Sequence, residues 1–71
     1  MRKQQQQILL HFCKDEYRNK MTIEERAKLM VELLEALGNG WYAEETKEDS
    51  IYRAVQDLEY FDEAMYLQAD V

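Results

Sequence analysis

The chain has one obvious place to turn. It contains no proline and two glycines, and both glycines sit in Gly38-Asn39-Gly40. Proline breaks a helix by removing a backbone donor, and glycine ends one by adopting the left-handed conformation at little cost. With those breakers confined to one tripeptide, the flanking segments read as long, uninterrupted elements. Ala, Leu, Glu, Lys, Gln, Met and Arg dominate both sides, and these residues form helices most readily. The expectation is an all-α fold, either a small three-helix bundle or a helical hairpin with an added N-terminal helix. Residues 1–71 then make a single helical domain.

Three helices are expected, over about residues 3–18, 23–37 and 47–69. In the first, Ile8, Leu9, Phe12 and Cys13 cover one side, and Lys3, Gln7, His11, Lys14 and Arg18 gather opposite. Leu10 and Tyr17 widen its apolar arc beyond what one partner helix covers. The second opens on Thr22 with Glu25 three residues later, the pattern of a capping box. Ile23, Ala27, Met30, Leu34 and Leu37 follow as a narrow seam, and Gly38 is placed to stop the helix. In the third, Thr46 and Asp49 resemble a second cap. Ile51, Ala54, Leu58, Phe61 and Met65 repeat the seam, flanked by Val55. Trp41 and Tyr42 are expected to fold back over the open end of the bundle.

A chain of 71 residues buries only a modest core. One cysteine, Cys13, excludes a disulfide within the chain, and one histidine, His11, is too few for a zinc cluster. Close packing or association with another copy is left to supply stability. A homo-oligomer is therefore expected, with Leu10, Tyr17, Tyr60, Ala64 and Leu67 as the oligomerisation surface.

The net charge of −6 divides unevenly. Residues 1–20 carry +3, residues 21–40 carry −2 and residues 41–71 carry −7. The chain is a basic first helix joined to a strongly acidic last third. One account lets the first helix lie beside the third and neutralise it. The other makes the acidic helix a binding surface, lined with carboxylates as a nucleic-acid backbone is lined with phosphates. Asp62 falls inside the expected core stripe of the third helix, where a basic residue of the first helix could answer it. Tyr60, Ala64 and Leu67 lie on its far side, where a solvated face should be polar. Five tyrosines, at 17, 42, 52, 60 and 66, favour contact with another protein, because tyrosine offers large area with few rotatable bonds.

Other chemistry is absent from the pattern. His11 and Cys13 diverge on a helix, and adjacent acids such as Asp62-Glu63 point about 100° apart. There is no glycine-rich phosphate loop, metal-finger spacing or calcium-loop pattern, so no catalytic residue, cofactor or metal is expected. A helix-turn-helix reader would present the acidic helix to phosphates, which repulsion forbids; direct nucleic-acid binding is not expected. No run approaches the roughly 18 apolar residues of a membrane span, and Ile8-Leu9-Leu10 is too short for a signal sequence. The expected location is the cytoplasm, or a host cytoplasm for a viral protein.

In being small, acidic, tyrosine-rich and proline-free, the chain is similar in composition to phage-encoded inhibitors of host defence, including anti-CRISPR and anti-restriction proteins. No motif carries this likeness. The expected function is a non-catalytic inhibitor or regulator that binds a protein partner, one that itself handles nucleic acid. Asp57, Glu59, Tyr60, Asp62, Glu63 and Tyr66 would make the contact, joined by Trp41 and Tyr42. The alternative is a structural helical module for oligomerisation or assembly.

Overall fold

The computed structural model describes residues 3–38, 40–42 and 45–69, with side chains as far as Ala64. Four helices follow one another: α1 (Lys3–Phe12), α2 (Asp15–Lys20), α3 (Ile23–Ala36) and α4 (Lys47–Ala69). No strand occurs among the described residues.

Local hydrogen bonding sets where α3 and α4 begin. The Thr22 hydroxyl accepts the Glu25 amide at 3.1 Å, and the Glu25 carboxylate accepts the Thr22 amide at 3.0 Å. This reciprocal pair satisfies two of the donors that a helix start leaves open. The Thr22 backbone amide, and then its hydroxyl, hold the Glu25 carboxyl below its ordinary pKa. Thr46 caps α4 with one such bond, its hydroxyl accepting the Asp49 amide at 3.1 Å. At the other end of α3, Leu37 leaves helical geometry and Gly38 takes φ +80. A Cβ on Gly38 would meet nothing within 4 Å, so glycine serves the backbone conformation there and not close packing. Leu37 itself remains about half exposed, outside the seam to which the spacing assigns it.

The expected helix over residues 3–18 is two helices. α1 tightens at its end, with the Cys13 amide on the Leu10 carbonyl and the Lys14 amide on the His11 carbonyl. Lys14 is extended (φ −66, ψ 148), and its carbonyl then accepts from Tyr17 and Arg18 to start α2. A tertiary contact occupies the acceptor that a continuous helix would use. The Phe12 carbonyl takes a hydrogen bond from Arg26 Nη1 of α3, at 3.2 Å. The break folds Tyr17 back onto His11 and Phe12, whose rings lie 5.1 Å from it, and Tyr17 donates to or accepts from His11 Nε2 at 3.0 Å.

The core joins Ile8, Leu9, Phe12 and Cys13 to Ala27, Met30, Val31 and Leu34 of α3 and to Tyr42, Ala54 and Leu58. Ile23, Ile51, Val55 and Phe61 pack at its edge. α3 and α4 make the main pairing, and α1 lies against both. At 1.5 Å per residue the 23-residue α4 is about 34 Å long, so it runs nearly the whole 37 Å length of the molecule. One face of α4 therefore closes the core and the other is a continuous outer surface.

Candidate functional site

That outer surface begins with the acids the sequence places there. Asp57 and Asp62 are not on it. Asp62 is half-buried and receives both terminal nitrogens of Arg26, at 3.1 Å and 2.7 Å. The misfit of Asp62 with its apolar stripe was a true sign of burial, but the answering base comes from α3 and not from the first helix. Arg26 is itself 4% exposed, and its Nε finds no acceptor among the described residues. Cys13 lies beside this pair. Burial first, and the Asp62 carboxylate second, push its thiol up to about 11.

Asp57 also faces inward. It accepts the Tyr42 hydroxyl, and Arg53 Nε stands 3.7 Å from its other oxygen. Tyr42 is 2% exposed, so it belongs to the core and not to a contact surface. Burial first, then its bond to Asp57, raise the Tyr42 hydroxyl above the ordinary phenol range. Trp41 divides from its neighbour. Its ring is exposed, and its indole N–H donates to Glu35 at 3.0 Å. Lys47 Nζ sits 3.9 Å from both Glu32 and Glu35, tying the start of α4 to the end of α3.

Three of the expected contact residues, Glu59, Tyr60 and Glu63, do share the exposed arc of α4. Glu48, Asp49 and Tyr52 share it too. At 100° per residue these six fall within about 120° of the helix circumference, directly away from Ala54 and Leu58. Tyr52 and Tyr60 are 67% and 68% exposed, the two most open large hydrophobic side chains described. Tyr52 carries no clue in a search for core seams, because it lies on the side such a search discards. The side chains of Tyr66 and Leu67 fall outside the described residues.

The carboxylates of Glu48, Asp49, Glu59 and Glu63 make no ion pair among the described residues. Nor do Lys3, Lys14 and Lys20; Arg18 pairs with Asp15 inside α2. No ion pair joins α1 to α4 among the described residues, so the two halves of the charge dipole are not spent on each other. Of the expected oligomerisation residues, Leu10 and Tyr60 are exposed, Ala64 is half-buried, and Tyr17 packs against the core. A separate exposed row at four-residue spacing joins Leu29 and Leu33 of α3 to Leu37 just past its end. Beside it Met21, Glu25, Lys28, Leu29 and Glu32 line an open concavity of about 340 Å³.

No family model, curated protein or solved structure matches the chain. Among the described residues, no group of three or more His, Cys, Asp or Glu side chains could hold a metal ion. No helix there is long and apolar enough to cross a membrane.

Proposed function

We propose that the chain is a non-catalytic inhibitor or regulator that occupies the nucleic-acid-binding surface of a protein partner with the outer face of α4. One observation carries this reading: the exposed carboxylates of Glu48, Asp49, Glu59 and Glu63 make no ion pair among the described residues, although basic side chains stand among those residues too. Carboxylates spread over about 22 Å, from Glu48 to Glu63, match a groove built to hold a phosphate backbone. The likeness in composition to phage inhibitors of host defence points the same way. Such a contact forms quickly by electrostatic steering and weakens as salt rises.

The test is capture from bacterial lysate at low and high salt, followed by competition with DNA and RNA. The expected outcome is a salt-sensitive partner that nucleic acid displaces. Capture lost in the variant Glu59→Lys/Glu63→Lys, with helix content unchanged, supports the face named here. A partner indifferent to salt and to nucleic acid overturns the reading.

The exposed Leu10, Leu29, Leu33 and Leu37 favour a second reading, an assembly module held by apolar contacts. Sedimentation separates the two, because that assembly would persist at high salt and in the charge variant.

A further inference from the structure

The reading of α4 as a binding face leaves its two most exposed side chains without a role. A phosphate-like surface needs carboxylates and no aromatic rings. Yet Tyr52 and Tyr60 stand on the same arc, eight residues and about 12 Å apart along the axis. Neither hydroxyl has a hydrogen-bond partner among the described residues, so neither ring is there to serve the fold through its oxygen. Tyr60 is held edge-on against Phe61 at 5.4 Å, and Phe61 packs on the core, which presents the Tyr60 ring in a defined position.

Each ring also has a carboxylate one helical turn away. Glu48 precedes Tyr52 by four residues, and Glu63 follows Tyr60 by three, spacings that place side chains next to each other on a helix. A flat ring beside a carboxylate suits one side chain in particular. A guanidinium can lie on the ring while its N–H fork meets the carboxylate, because it is planar and weakly hydrated. A lysine ammonium is a compact, strongly hydrated point charge that gains from the carboxylate but little from an exposed ring.

We infer that the outer face of α4 selects arginine over lysine, with Tyr52–Glu48 and Tyr60–Glu63 as two guanidinium seats. The occupant is a protein surface that presents arginines about 17 Å apart along the helix axis, midway between the separation of the two rings and that of the two carboxylates. The inference rests on the proposed reading of this face and adds the chemistry of its partner.

The probes are arginine and lysine homopeptides of equal length, with affinity for the intact protein read by calorimetry in moderate salt. Arginine should bind about tenfold tighter, the scale of two exposed cation–π contacts. Tyr52→Leu/Tyr60→Leu should bring the two peptides to equal affinity, and Tyr52→Phe/Tyr60→Phe should keep the preference, since Phe retains the ring face. Both positions are exposed, and unchanged circular dichroism shows that the fold persists. Equal affinities for the two peptides, each lost on Glu59→Lys/Glu63→Lys, overturn the arginine seats and leave the acidic face standing. A preference that survives the leucine variant also overturns them. If neither peptide binds, the inference fails together with the reading beneath it.

Discussion

Arg26 on α3 and Asp62 on α4 are joined by two hydrogen bonds, and the same guanidinium holds the carbonyl of Phe12 where α1 ends. One buried cation thus fastens three segments of a chain with a small core. Removing one partner of a buried pair strands the other, which typically costs about 3–5 kcal/mol. In a domain of this size that is most of the stability available.

Asp62→Ala should therefore lower the urea midpoint sharply or abolish the transition. Arg26→Met/Asp62→Leu should recover much of the loss, because no charge remains buried, although the Phe12 carbonyl then lacks its donor. If the double variant is as unstable as the sum of the two single ones, the pair is not coupled.

Tyr42→Phe keeps the buried ring and deletes the hydroxyl that donates to Asp57. A loss of about 1.5–3 kcal/mol is expected, the range of a hydrogen bond to a charged acceptor. Tyr42→Ala should cost about 3–5 kcal/mol by leaving a cavity. Equal effects of the two substitutions in chemical denaturation would show that the hydroxyl alone holds the loop.

Thr22→Ala removes the acceptor for the Glu25 amide, and Thr46→Ala removes the acceptor for the Asp49 amide. Each should cost about 1 kcal/mol. The sites are far apart in the chain and share no partner, so the double variant should lose the sum. Thermal unfolding measures both.

The Cys13 thiol titrates near 9 when unfolded and is pushed to about 11 in the fold. Between those values the unfolded chain has released the proton and the folded one has kept it. The unfolded state then binds fewer protons, so stability falls as pH rises through this window. Tyr42, also raised, adds to the fall above its own ordinary value of 10.0. Cys13→Ala should flatten the lower part of the decline in urea titrations at stepped pH. Alkylation of Cys13 near pH 8 should be slow in native protein and fast in urea, since the thiolate is the reacting form.

The parts of the fold legible in the sequence are those set by neighbours in the chain. The Thr22–Glu25 box, the Gly38 stop and the start of α4 after Thr46 each depend on residues within four positions. The break after Phe12 depends on Arg26, fourteen residues on, and Cys13-Lys14 contains no glycine or proline to announce it. Arg26 carries no sign of burial in the sequence either, because a lone charge beside an apolar seam reads as a solvated edge. The acids of the candidate site present the opposite case. Net charge counts every carboxylate alike, whereas Asp57 and Asp62 are turned inward and only a fold shows which acids remain for a partner. Tyr52 becomes visible only when the back of α4 is considered as a surface in its own right.

The Arg26–Asp62 pair has a consequence for which changes of length the chain tolerates. Apolar seams are forgiving along their axis: if α4 slid by one turn, about 5.4 Å, Leu58 would still meet apolar side chains. Arg26 would then lose its carboxylate. Insertions into the connection between Gly38 and Thr46 leave the pair in place, while a single added residue between 26 and 36 or between 47 and 62 rotates one partner away by about 100°. The ion pair acts as a ruler for these two spans, while the connection between them is held by a separate anchor, Tyr42 in the core.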